Sequence, residues 1–296
     1  MLSSPRLFRM NLKTAVNVSA VPHLSPFRYP GGKTWLVPLV RLWLHSQPRK
    51  PQEFIEPFAG GGSVSLAVAF ESLADHATMA EIDEEVAAVW LTILSRQGKQ
   101  LADRIVSFNL TPRSADRILS QKPHRRIDKA FQALLKNRIN HGGVMATGAG
   151  RLKYGDGRGI SSRWYPETLR ERILKIHNLR NRITFVEGDG LALIRQFSSR
   201  TNCVFFFDPP YTAGGKAAGR RLYRHNEIDH SRLFRMANQL KGDFLMTYEN
   251  SEEVRQLAKK YGFETERIIM NNKLHTKTPE LLIGLDLSWL RPTERE

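Results

Sequence analysis

Val204-Phe205-Phe206-Phe207 runs directly into Asp208-Pro209-Pro210-Tyr211, and no other stretch constrains the fold so tightly. Four consecutive bulky apolar residues, rich in β-formers and too few for an ordinary helix, predict a buried strand. The prolines end its ladder, because each fixes φ and neither donates an N–H. An acid and an aromatic are left at the strand's C-terminal end, where open α/β sheets hold their ligands. An acceptor-only carboxylate, carbonyls without competing donors and a flat π face suit a planar ring with an exocyclic amine. A plain strand and proline turn, with Tyr211 as packing, would look the same in isolation. The remaining parts of a site have to come from elsewhere in the chain.

Other segments supply the frame. Phe54-Ile55 before Pro57 and Gly60-Gly61-Gly62 predicts a strand entering a glycine turn, with Ser63 as N-cap of the helix that begins at Val64. Further strands are expected at 77–82, 183–186, 204–207, 244–247, 263–269 and 281–287, separated by helices at 84–94, 231–240 and 252–260. Alternation of this kind implies a doubly wound, mostly parallel α/β sheet. Residues 96–182 break the rhythm with a basic amphipathic helix at 124–139, a glycine-rich loop at 141–159 and a basic helix at 170–182. The expected organisation is a flexible extension at 1–23, a main domain of 24–95 plus 183–292, and a mainly helical insertion at 96–182.

Charge narrows the partner. The chain has 45 Lys+Arg against 29 Asp+Glu, a net +16, which points to a polyanion, nucleic acid ahead of an anionic membrane. Between 111 and 182 there are seventeen cations and five acids, so much of the excess lies in the insertion. A solvated cationic surface explains any one such helix but not a whole segment with so few acids. No apolar stretch approaches the roughly 20 residues of a membrane span. The single cysteine, Cys203, permits no internal disulfide and no cysteine-based metal site, in keeping with a reducing, cytoplasmic setting.

Three further segments complete a candidate site. Phe58-Ala59-Gly60-Gly61-Gly62 lets a backbone approach a ligand closely and delivers it to a helix N-terminus. Glu81 follows by about 20 residues, the spacing at which an acid accepts from ribose hydroxyls; Asp83 is its competitor. The turn lacks the third glycine that a dinucleotide would want, so a nucleoside without phosphates fits better. Upstream, Phe27-Arg28-Tyr29-Pro30-Gly31-Gly32-Lys33 carries an aromatic for stacking on a ring or sulfonium and a lysine for a carboxylate. Asp189, after the 183–186 strand, serves equally well as a helix N-cap or as an acceptor for an adenine amine.

Taken in order, residues 27–33, 54–62, Glu81, Asp208 to Tyr211 and 278–283 resemble the Dam-type (D12 class) DNA adenine-N6 methyltransferases, over roughly 24–290. Tyr29 and Pro30 stand where many members have Trp-Ala, and Glu81 where Asp is commoner; both changes keep the chemical type. The resemblance implies a Rossmann-like methyltransferase fold with S-adenosylmethionine as methyl donor and no metal. It implies that Tyr29 and Lys33 contact the methionine part, Phe58, Gly60 and Gly62 line the bed, Glu81 holds the ribose, and Asp208, Pro209 and Tyr211 hold the target adenine, with Asp189 and Asp208 also among the cofactor-binding residues. The partner would be duplex DNA, its target base flipped out and its sequence read by 96–182. A cognate restriction endonuclease acting on the same site is a further partner such enzymes can have. A monomer or weak dimer is expected.

Carbon-5 cytosine methylation needs a thiolate nucleophile, and Cys203, opening an apolar strand after Asn202, is expected to be an inert core thiol. N4-cytosine transfer, methylation of RNA or of a protein glutamine, and a DNA-binding protein without catalysis are the competing readings. Asp rather than Ser before the prolines favours adenine.

Overall fold

The computed structural model describes residues 21–28, 32–145, 149–153, 157–210, 228–271 and 277–291. Seven strands build one sheet: β1 (Glu53–Glu56), β2 (His76–Glu81), β3 (Ile183–Glu187), β4 (Cys203–Phe207), β5 (Asp243–Glu249), β6 (Glu264–Asn271) and β7 (Lys277–Gly284). Their spatial order is β3-β2-β1-β4-β5-β7-β6. The first five run parallel, and β7 lies antiparallel between β5 and β6. The strand order reverses between β1 and β4, which is where a doubly wound sheet opens a crevice at its carboxyl edge. The expected α/β class and mostly parallel doubly wound sheet are both found.

β4 shows why the sheet needs cover on both faces. Val204 and Phe206 join the core beneath helices α1 (Val37–Ser46), α2 (Ser63–Glu71) and α3 (Glu84–Ile93), while Phe205 and Phe207 join the core of the opposite face. That second face is covered by α8 (Gly190–Phe197), α9 (His230–Ala237) and α10 (Glu252–Tyr261). Successive strand side chains point to opposite faces, so a run with no polar residue marks a central strand. Each fully buried phenylalanine contributes roughly 1.5–3 kcal/mol. Phe54 of β1 stacks on Phe206 at 6.5 Å, and Trp43 Nε1 of α1 donates to Asp243 Oδ2 of β5 at 2.8 Å.

Residues 96–182 contain α4 (Gly98–Ser107), α5 (Pro112–Ser120), α6 (Arg126–Ile139) and α7 (Pro166–Asn178). Their apolar sides belong to the same core as α2 and α3: Phe131 and Leu134 of α6 and Ile173 of α7 are fully buried in it. Lys129 and Lys136 reach Glu84 and Glu85 at the start of α3, each at 2.6 Å. The segment is thus built onto the first face of the sheet.

Several local expectations change; the strand expected at 281–287, for one, is β7 at Lys277–Gly284. Ser63 is the first residue of α2, and Gly62, left-handed at φ 61° with no side-chain cap, takes the N-cap place. The helix expected at 170–182 begins at Pro166, whose fixed φ suits a first turn, and ends at Asn178 before a 3-10 turn at Arg180–Arg182. Cys203 is 3% exposed and burial pushes its thiol up to about 11, so it is an inert core thiol as expected. Among the described residues no helix is long and apolar enough to cross a membrane.

Candidate active site at the carboxyl edge of the sheet

The glycine turn that leaves β1 is shaped from below by Trp90 of α3. Trp90 Nε1 donates to the Gly60 carbonyl at 2.9 Å, and a Cβ on Gly62 would lie 2.8 Å from the Trp90 ring. Gly60 and Gly62 both have positive φ, at 46° and 61°, a region closed to most side chains. Behind the turn stands Glu81, the last residue of β2. Its Oε2 accepts from Gly60 N–H at 3.0 Å, and its Oε1 from Ile82 and Asp83 N–H at 2.9 and 3.0 Å. Burial raises its pKa against the pull of those bonds. Asp83 caps α3 instead, accepting from Glu85 and Val86 N–H at 2.8 and 3.2 Å. Of the two acids, Glu81 is the one set against the glycine turn.

Asp189 caps α8, its Oδ1 accepting from Leu191 N–H at 3.0 Å. Gly190 lets that helix start against the same turn, since a Cβ there would sit 2.7 Å from the Phe58 ring and closer still to the Pro57 carbonyl. Phe58, Gly60, Gly62, Glu81 and Asp189 therefore gather at one edge.

β4 delivers Asp208 beside them. Lys33, in the 3-10 turn Lys33–Leu36 that leads into α1, puts Nζ 2.9 Å from Asp208 Oδ1 and 3.8 Å from Glu280 Oε2. Thr247 of β5 donates to the same Asp208 oxygen at 3.0 Å. The Lys33 side chain is 6% exposed and that of Asp208 is 21% exposed, so the pair is sheltered and the carboxylate is its more accessible member. Burial works against the Lys33 charge, and Asp208 and Glu280 outweigh it, raising its pKa. Burial pushes Glu280 up to about 7; Lys33 opposes that rise and Asp208 adds to it.

A fourth acid underlies the site. Glu56, which ends β1, is 3% exposed, and its Oε2 accepts from both the N–H (2.9 Å) and the hydroxyl of Ser65. Burial pushes it up to about 8, with Ser65 pulling down and the Asp208 charge pushing up. At neutral pH it is an uncharged carboxylic acid, which spares Asp208 a second negative neighbour. A carboxyl raised from 4.5 to about 8 stabilises the fold fully below pH 4.5, and that contribution is lost as pH rises toward 8. The magnitude is on the order of 5 kcal/mol. Glu56→Gln should therefore match the wild type in melting temperature near pH 5 and exceed it by several degrees at pH 8.5. An offset that does not change with pH would show that Glu56 does not titrate in this way.

Of the residues expected at the site, Lys33, Phe58, Gly60, Gly62, Glu81, Asp189, Asp208 and Pro209 lie within the described structure; Tyr29 and Tyr211 lie outside it, as does the loop at 212–223. Sequence reasoning gave no role to Glu56, Thr247 or Glu280. An acid closing a strand just before a glycine turn was the available sign for Glu56. Glu280 stood inside the 278–283 segment without a role of its own, and nothing local marks Thr247; both reach the site through the pairing of β5 with β4 and β7.

No curated protein matches the chain. Among solved structures it is similar to the rRNA methyltransferase aviRa from Streptomyces viridochromogenes, at 15% identity and TM-score 0.42, covering 99% of this chain and 100% of that one. It is also similar to a SAM-dependent methyltransferase from Agrobacterium tumefaciens, at 9% identity and TM-score 0.38, covering 83% and 59%. Spermidine synthase from Thermotoga maritima matches at 10% identity and TM-score 0.37, covering 93% and 61%. Likenesses this weak carry no information on substrate. Residues 29–117, which hold Lys33, the glycine turn and Glu81, match the family model of the D12 class N6 adenine-specific DNA methyltransferases, and the match supports methyl transfer as this chain's chemistry.

Proposed function

We propose that the chain transfers a methyl group from S-adenosylmethionine to N6 of an adenine flipped out of duplex DNA. The observation that carries this reading is the Asp208 carboxylate, held through Oδ1 by Lys33 and Thr247 at the switch point beside the glycine turn. The residues suit the donor. A Glu81 carboxylate that accepts three backbone N–H bonds keeps a lone pair on Oε2 for a ribose hydroxyl, and positive-φ glycines keep the bed free of Cβ atoms. Bound there, S-adenosylmethionine supplies a methyl group activated by a sulfonium.

Adenine N6 is a poor nucleophile because its lone pair is delocalised into the ring. Asp208 accepts one N6 hydrogen and the Pro209 carbonyl the other, which draws the nitrogen toward sp³ geometry. Lys33 and Thr247 fix the carboxylate so that little reorganisation accompanies the reaction. Flipping the base costs about a few kcal/mol, and stacking on Tyr211 offsets roughly 1–3 kcal/mol of it. The cations of 96–182 neutralise phosphates and carry the base-reading side chains.

Purified protein incubated with labelled S-adenosylmethionine and duplex DNA, followed by digestion to nucleosides, should yield N6-methyladenine. N4-methylcytosine, or label only on RNA or protein, would overturn the assignment.

A further inference from the structure

Residues 25–28 run across the helical segment and are held by three of its side chains. Arg172 Nη1 of α7 donates to the Ser25 carbonyl at 3.0 Å, and Arg138 Nη2 of α6 donates to the Pro26 carbonyl. Asn137 accepts from Arg28 N–H at 2.8 Å and donates to the Arg28 carbonyl at 3.0 Å. These bonds set Arg138 and Arg172 on neighbouring carbonyls of the stretch that ends in Arg28, near enough for the charges of Arg172 and Arg28 to act on Arg138. Arg138 is 4% exposed, and its Nε, like Nη1 of Arg28, is buried with no acceptor. Among the described residues none of the three forms an ion pair. The acid nearest in sequence, Glu171, is bound to Lys175 at 2.6 Å.

The group is electrostatically unfavourable as it stands. Burial pushes Arg138 down to about 9, and the charges of Arg172 and Arg28 push it the same way, with the Tyr165 hydroxyl opposing. Arg28 is lowered by burial and by Arg163, again against Tyr165. Arg172 is lowered by burial, with Glu171 opposing. A guanidinium stays charged under physiological conditions, so sheltered cations without a carboxylate call for an anion from outside the chain. The planar donor fork matches the paired oxygens of a phosphate.

We propose that Arg28, Arg138 and Arg172 form a site for one backbone phosphate of the DNA duplex, an assignment that rests on the reading of the substrate as DNA. Its place in the fold agrees. Arg28 is five residues from Lys33, so their Cα atoms are at most about 18 Å apart, a few nucleotides from the base held at Asp208. A phosphate here would fix the register of the strand from which the adenine is turned out. It would also link the helical segment to the stretch that carries Lys33.

The test is duplex binding by fluorescence anisotropy across a salt series, with Arg28→Gln and Arg172→Gln beside Lys259→Gln, an exposed cation of α10 on the opposite face. The slope of log K against log salt should flatten by about 0.9 for each pocket variant and stay unchanged for Lys259→Gln. A set of duplexes with single methylphosphonate linkages then locates the contact. One neutral linkage should weaken the wild type several-fold and leave Arg28→Gln unaffected. Two pocket variants guard against misfolding of either, and thermal melts identify it. Wild type that binds and methylates duplex while no linkage behaves so would overturn the phosphate site alone. Wild type that neither binds nor methylates duplex would overturn the DNA reading first. Stabilisation of wild type but not Arg28→Gln by inorganic phosphate, with unchanged duplex slopes, would show a free-anion site and overturn the DNA assignment.

Discussion

Asp208→Asn should lower the single-turnover rate of methyl transfer by roughly 10³-fold, the size of effect seen when one preorganised polar partner of a reacting group is removed. Asparagine keeps the shape of the side chain and can still accept from Thr247, which donates to Asp208 Oδ1 at 3.0 Å. What it loses is the charge paired with Lys33 at 2.9 Å and the acceptor-only character that an N–H donor requires. Whichever way the amide is turned, one of its faces presents hydrogens. S-adenosylmethionine binding should stay within a few-fold of the wild type, because the glycine turn and Glu81 are untouched. Rapid-quench incorporation of labelled methyl into duplex DNA, read beside equilibrium binding of the donor, separates the two effects. Normal turnover by the variant would mean that the acceptor adenine is held elsewhere.

A large loss of stability is expected from Lys33→Met. Lys33 is buried between Asp208 and Glu280, and its loss leaves two carboxylates facing each other with no cation. Removing one partner from a buried pair typically costs about 3–5 kcal/mol. The deficit should depend on pH in a definite direction. Glu280 already titrates at about 7 with Lys33 opposing the rise, so without the lysine it moves higher. A carboxyl whose folded pKa is raised stabilises the fold fully below its unfolded value, and that contribution disappears as pH rises through the folded value. The gap between wild type and Lys33→Met should thus be small near pH 5 and widen through pH 7 to 8.5 in chemical denaturation. A gap of constant size would point to lost packing of the lysine stem rather than to the charges.

These expectations draw on parts of the molecule that were unequally visible in the sequence. β4 was legible because both of its faces are buried, so Val204 to Phe207 contain no polar residue to confuse the period. The glycine turn was legible because positive φ at Gly60 and Gly62 demands glycine. The extent of α7 was not, since a basic stretch at 170–182 looks alike whether its first turn starts at Pro166 or later. Ser63 was a plausible cap by type, yet the backbone enters α2 through a left-handed Gly62 and the hydroxyl that matters is Ser65, bonded to Glu56.

The sequence by itself determined the class of the fold, the carboxyl-edge position of Asp208 and the pair of acids, Glu81 and Asp83, that could face the glycine turn. Each of these is written in short-range pattern: hydrophobic runs, proline stops and a spacing of about 20 residues. Only the tertiary structure showed which of Glu81 and Asp83 faces the glycine turn, because the two lie two residues apart and differ in whether the carboxylate turns back to Gly60 or forward to cap α3. Only the tertiary structure joined Lys33 to Asp208, with Thr247 and Glu280 around them, and hung Ser25 and Pro26 on Arg172 and Arg138. Those contacts connect residues far apart in the chain, and their energies come from burial and mutual charge. Neither quantity exists until the sheet and its helices have closed around them.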